Sequence, residues 1–345
     1  MKEKLFFFSI KHPLVYILSL AVVLRILAVI FTNGYMIDDH YFNYYNIPLK
    51  WLDNPWLVYT VRLVLGAFSL LIITLSYRIT KIIADKTTAL EIALLLTIWG
   101  FAPYLSVHPL PQTVMLPFVL YGTLLIVKQE NILTNNEIEK SHRTTYIISG
   151  FILGLGFAVY YQSLIYFIGV IIALILLNNK KGALMTLIGY IIAVLLTQTI
   201  VDLIIWHRPF VNMIDFCRNS GDYLFSSIQN WNFEATSILV LLFYWLPLSI
   251  LLFVGFFKVW RKYVLLFLPT FLMIMFYTVF PNHNAVYTFA IVPTFVIAGF
   301  VGWKEYYKNS SFWNKNHLFV KICYVLFAII NVVVLLWTYK LISYD

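Results

Sequence analysis

A chain of 345 residues that is 61% hydrophobic, 11% charged and of mean hydropathy +0.84 has too little polar surface for a soluble globule. Its net charge of +9 is no nucleic-acid signature, because the basic residues sit in short segments between apolar runs. The two cysteines, Cys217 and Cys323, fall on opposite sides of the membrane in the topology below and are not expected to pair.

Apolar runs of about 18 to 23 residues recur along the chain and read as transmembrane helices, because lipid offers the backbone no hydrogen-bond partners. The alternating pattern of a β-barrel is absent. The expected fold class is an all-α polytopic membrane protein with eleven spans, near 12–32, 57–77, 88–106, 112–128, 144–160, 163–179, 183–205, 236–257, 263–280, 286–303 and 320–340. The first span follows Met1-Lys2-Glu3-Lys4 without a small-residue cleavage site and reads as a retained signal anchor. The stretch 144–179 is too long for one helix, and Tyr160-Tyr161-Gln162-Ser163 reads as the turn of a hairpin. Residues 129–143 read as an ordinary solvated inner loop. No segment between spans is long enough for a separate domain, so residues 1–345 are expected to be one membrane domain.

Lysine and arginine set the orientation. With the N-terminus cytoplasmic, inner segments hold 18 of the 24 and outer segments hold four, Lys50, Arg208, Arg218 and Lys340. Eleven spans then put the C-terminus outside. Two outer loops, 33–56 and 206–235, are longer than turns and rich in Trp and Tyr, as segments lying in the interface are. In the first, Asp39, Asn43 and Asn46 share one helical face, and Ile37, Tyr41, Tyr44 and Tyr45 line another. That pattern fits a short helix lying aromatic face down on the membrane.

Carboxylates are scarce, 15 in all, yet Asp38 and Asp39 stand side by side just beyond the first span. A carboxylate there can take the proton of an acceptor hydroxyl as that oxygen attacks a sugar carbon. The bland alternatives are a solvated loop or an ion pair with Arg25 or Arg62. Those two arginines lie in the outer halves of their spans. A charge within hydrocarbon costs a few kcal/mol, about 3, and so calls for a partner or a task, unless it snorkels to the headgroups. The guanidinium fork matches phosphate. Other unusual polar residues also map outward: His40, His108, Gln112, Gln162, Asp202, His207, Arg208, Asp215, Arg218, Asp222, His283 and Asn284. His283 could donate to a lipid-linked phosphate, although a lone turn histidine is commonly inert. Asp202 could pair with Arg208 or Arg218. Nucleotide-binding glycine loops and His/Cys metal spacings are absent.

These residues resemble the GT-C superfamily of polyprenyl-phosphate-sugar glycosyltransferases, and within it the mannosyltransferases of GPI-anchor and dolichol-linked oligosaccharide assembly. Ile37-Asp38-Asp39-His40-Tyr41 stands where that family has an acidic motif after its first span. Arg62 in Tyr59-Thr60-Val61-Arg62-Leu63 matches its arginine at the second span, and His283 with Pro293 beyond matches its last outer turn. The sequence departs from the family at Asn284, Ala285 and Tyr287, which replace Lys, Glu and Arg, and at Gln162, which replaces Arg.

The resemblance implies inverting transfer of a mannose-like hexose from a polyprenyl-phosphate donor to an envelope lipid or glycan. Asp38 or Asp39 would be the base. Arg62, His283, Arg25 and Arg218 would hold the donor phosphate, with His40, Gln162, Asn284 and Asp202 in support. No cofactor is expected, though some members of the superfamily use a divalent metal. The composition points to a bacterial inner membrane with the site facing the periplasm. The competing readings are a lipid-linked glycan flippase and a catalytically inactive scaffold.

Overall fold

The computed structural model describes residues 12–32, 55–134, 143–218, 238, 241–243, 245–279 and 285–339. Within these the chain is helical throughout, and no strand is present among the described residues. The helices are α1 Pro13–Phe31, α2 Pro55–Ile83, α3 Lys86–Ile98, α4 Phe101–Val107, α5 Pro111–Thr134, α6 Arg143–Val159 and α7 Ser163–Leu176. After them come α8 Lys180–Trp206, α9 211–218, α10 Leu248–Lys258 and α11 Val264–Val279. A 3₁₀ turn, Ala285–Ala290, then precedes α12 Val292–Asn309, α13 Ser311–Lys315 and α14 His317–Thr338.

Five of these, α1, α2, α5, α8 and α14, are long and apolar enough to cross a membrane, and the bent pair α3–α4 makes a sixth if it is one span. Only 28% of the residues are buried in the apolar windows of α1, α2 and α8, and 22% in that of α14. Helices that show so much Leu, Ile and Val outward would aggregate in water; they belong in lipid. The chain is therefore a helical membrane protein. Four further apolar helices, α6, α7, α10 and α11, are shorter. In the run expected to be a span from residue 236, described helical residues at 238 and 241–243 precede a turn with a cis Leu246–Pro247 bond, and α10 follows from Leu248.

The chain divides into two compact units: residues 1–114 with 324–345, and residues 115–323. In the first unit α1 packs along α2, and both meet α3 and α4. The Tyr339 hydroxyl donates to the Leu24 carbonyl, and its ring joins Ala28, Val29 and Val107 in a small core. The hydroxyls of Thr87 and Thr88 and the Thr88 amide all converge on the Asp85 carboxylate, which starts α3 as its N-cap.

The run expected as one straight span, 88–106, is instead broken at Trp99–Gly100, and its halves meet at 71°. The sequence explains the break. Pro103 lacks the N–H that would bond to Trp99, four residues back, and its ring collides with that carbonyl in a continuous helix. Trp99 accordingly leaves the helix at φ −61°, ψ 113°. The freed Gly100 amide donates to Asn331 Oδ1 at 2.7 Å, and Asn331 Nδ2 is held by the Phe327 carbonyl at 2.8 Å. A Cβ on Gly100 would sit 2.6 Å from the Asn331 backbone oxygen, so only glycine admits this approach.

In the second unit α6 lies against α8 at backbone contact: a Cβ on Gly150 would fall 1.9 Å from the Thr186 oxygen, and one on Gly189 2.0 Å from the Ile147 oxygen. Small residues at such crossings are how helices gain contact where lipid removes the hydrophobic drive. The same device joins α10 to α12 through Gly255 and Gly299, and α7 packs against α11.

Asn331→Ala should lower stability by about 1–3 kcal/mol, the cost of a buried amide left without its acceptor. Unfolding of the detergent-solubilised protein measures it; a loss below about 0.5 kcal/mol would mean that the break needs no acceptor from Asn331.

Candidate functional site

Asp38, Asp39, His40, His283 and Asn284 lie outside the described residues. The remaining sequence candidates fall into two groups, one in each unit.

In the first unit Arg62 is 6% exposed and donates from NH1 to the Thr32 carbonyl at 2.8 Å. Thr32 is the C-cap of α1, and its own hydroxyl bonds back to Ala28. Arg62 therefore ties the second helix to the point where the first ends. The Tyr104 hydroxyl lies within electrostatic range of Arg62. The Tyr104 ring lies 4.3 Å from that of His108, a fully buried residue whose Nδ1 sits 2.7 Å from the Tyr104 carbonyl. That carbonyl can only accept, so Nδ1 carries a hydrogen. Four residues on, at the first turn of α5, Gln112 is 2% exposed and its Oε1 has no hydrogen-bond partner among the described residues.

Arg25 is also buried, at 5% exposure, but not beside Arg62. Its Nε donates to Ser69 Oγ at 2.6 Å and its NH1 to the Ala21 carbonyl at 3.2 Å. Ala21 and Thr32, the carbonyls held by the two guanidinium groups, are eleven residues apart on one helix. That is about 16 Å along the axis. The two arginines cannot grip one phosphate in this arrangement.

In the second unit the hairpin turn between α6 and α7 falls at Tyr160–Gln162, as its sequence indicates. The Tyr160 hydroxyl meets Gln162 Oε1 and, at 2.7 Å, the Tyr277 hydroxyl on α11. The Tyr161 hydroxyl donates to Gln198 Oε1 at 2.8 Å, and its ring lies 4.9 Å from Phe216 on α9. Asp202, 1% exposed, is taken by Asn212 rather than by an arginine: Asn212 Nδ2 donates at 2.7 Å and its backbone amide at 3.2 Å. Arg208 and Arg218 are exposed, Arg218 at the last described residue of α9. Asp202 thus pins α9 to α8, Tyr161 ties both to the hairpin turn, and Gln162 serves Tyr160, which links that turn to α11.

Sequence reasoning did not single out Tyr104, Gln198, Asn212 or Tyr277. Tyr104 and Tyr277 are two of 24 tyrosines, with no pattern to separate them from interface anchors. Gln198 carries a usable signal, a lone carboxamide four residues before Asp202 on the same helix face. Among the described residues no three His, Cys, Asp or Glu side chains gather in a way that could hold a metal ion. Compared with known proteins, the chain matches no protein-family model and no curated protein.

Asp202→Ala should cost about 1–3 kcal/mol, because it strands the buried Asn212 amide, while Asp202→Asn keeps one acceptor and should cost about half as much. Equal losses in thermal unfolding would show that the carboxylate's charge, not its acceptor geometry, holds α9.

Proposed function

We propose that the protein is an integral-membrane glycosyltransferase that moves a mannose-like hexose from a polyprenyl-phosphate carrier to an envelope lipid or glycan at the outer face. In this reading eleven spans place the N-terminus in the cytoplasm of a bacterial cell and the site at the periplasmic surface. The observation that carries it is the bond from Arg62 to the Thr32 carbonyl. Asp38 follows Thr32 by six residues. A chain of that length spans at most about 20 Å, so the acidic pair is tethered within reach of a buried guanidinium. A carboxylate and a phosphate-binding fork on opposite sides of one reacting sugar are what displacement at an anomeric carbon needs.

The acceptor oxygen attacks the anomeric carbon as the bond to the phosphate oxygen breaks, which inverts the configuration. The acceptor's proton passes to Asp38 or Asp39, and the polyprenyl phosphate leaves with the bonding electrons. Arg62 neutralises the growing charge on that phosphate. His283 and Arg218 supply further contacts to the donor, with His40 and Asn284 near the acceptor. Arg25, held at another level of the membrane, is left out of this phosphate site. One observation favours a second reading, carriage of a lipid-linked glycan across the bilayer: Arg25 is buried within a span with neutral partners, as charges along a transport path are.

Membranes expressing the chain, supplied with radiolabelled polyprenyl-phosphate mannose and an envelope lipid extract, should form a labelled lipid or glycan product. Asp38→Asn or Asp39→Asn should lower the rate by about 10²–10⁴-fold, the usual contribution of a general base. Arg62→Ala should lower it and also abolish thermal protection by the carrier phosphate. Absence of transfer from every polyprenyl-phosphate hexose, with movement of a labelled lipid-linked glycan across vesicles instead, would replace this reading by the transport one.

A further inference from the structure

A crevice of about 200 Å³ opens between α1 and α2 beside Arg25. Its rim is apolar and exposed, formed by Val22, Ile26, Leu63 and Ala67. Its floor is buried and holds Gly66 and the Arg25 side chain. Gly66 makes the space: a Cβ there would already stand 3.4 Å from Val107 and 3.7 Å from Arg25 Cβ, so any larger side chain would fill it.

The guanidinium has five N–H donors. Ser69 and Ala21 take two of them, and both partners are neutral. Among the described residues no carboxylate lies within ion-pair distance of Arg25. A cation in a low-dielectric wall with neutral partners lacks the counter-charge that would offset its desolvation. The crevice gives a counter-anion a place beside this cation, and the apolar rim selects one that carries a hydrocarbon chain. A soluble anion would have to cross hydrocarbon to arrive. The crevice is also smaller than the roughly 300–1,000 Å³ of pockets that enclose a whole small molecule, so it seats part of a lipid whose remainder stays in the bilayer.

We propose that this crevice binds one anionic membrane phospholipid, its phosphate drawn below the headgroup plane to the free N–H groups of Arg25 and an upper chain segment lying between Val22, Ile26, Leu63 and Ala67. Local thinning of the bilayer around a membrane-embedded arginine brings the phosphate within reach. The site is distinct from the one at Arg62, because the two guanidinium groups hold carbonyls eleven residues apart on α1. It holds whether or not the protein transfers sugar.

The test is native mass spectrometry of the full-length protein after delipidation and incubation with equal amounts of phosphatidylglycerol and phosphatidylcholine of the same chains. Wild type should retain one phosphatidylglycerol with at least about tenfold preference, a difference of roughly 1.4 kcal/mol. Arg25→Gln, which keeps a donor for Ser69, should lose the preference. Ala67→Phe, which fills the crevice from its exposed rim without touching the arginine, should lose retention altogether and fold normally. Arg62→Gln should leave retention unchanged. Equal retention of both lipids by wild type, or unaltered preference in Ala67→Phe, would overturn the assignment. So would displacement of phosphatidylglycerol by one equivalent of a polyprenyl phosphate, which would make the crevice the seat of the sugar carrier. Loss of sugar transfer alone, with lipid retention intact, would sink the enzyme reading and leave this one standing.

Discussion

A backbone amide freed within a bilayer has no water to turn to, and the arrangement of the first unit follows from that constraint. Pro103 forces a break that exposes the Gly100 amide, and the Asn331 side chain closes it. Asn331 belongs to the last long helix, so the end of the sequence is needed to complete a helix near its beginning. Once α4 turns away from α3, Val107 can pack with Ala28, Val29 and Tyr339, and it stands against Gly66 at the bottom of the crevice. One proline thus determines where the small core of this unit lies and how deeply Arg25 is enclosed.

Two polar layers sit at different heights. Arg62, Thr32, Tyr104 and His108 lie toward the C-terminal end of α1, the end nearer in sequence to the acidic pair. Arg25 and Ser69 lie farther down the same helix pair. Side chains on a helix lean toward its N-terminus. α1 and α2 are antiparallel partners, so Arg62 leans toward the Thr32 end and Arg25 leans away from it, toward Ala21. Two arginines that look alike in sequence are sent to opposite levels by the direction of the helices that carry them.

Much of the helical layout was legible because a run of apolar residues has one solution in lipid. The hairpin turn at Tyr160–Gln162 and the start of α1 at Pro13 coincide with the sequence expectation within a residue or two. The break at Trp99–Gly100 was not foreseen, although Pro103 announces it: a hydropathy window averages over a proline, and the window stayed apolar. The site was less legible. Single-sequence reasoning ranks arginines by rarity and cannot see their height, so Arg25 and Arg62 were grouped. It paired Asp202 with arginines because charge is the stronger expectation, whereas an asparagine ten residues along the chain offered its side-chain and backbone amides at once. Asp38, Asp39, His40, His283 and Asn284 lie outside the described residues, and their roles rest on the sequence pattern and the tether to Thr32.

The link between Asp202 and Asn212 has a consequence for which changes the chain can tolerate. His207 and Phe210 both adopt left-handed backbone angles, φ 57° and 61°, in the reversal between α8 and α9. Non-glycine residues enter that region at a cost of about 1–2 kcal/mol each, and the paired carboxylate and carboxamide close the reversal that makes it necessary. The ten-residue interval is therefore a ruler. Many substitutions inside it would be absorbed, but a single insertion or deletion would separate Asp202 from both of its donors and swing α9 to another face. Among relatives of this chain, length between these two positions should drift far less than the amino acids that fill it.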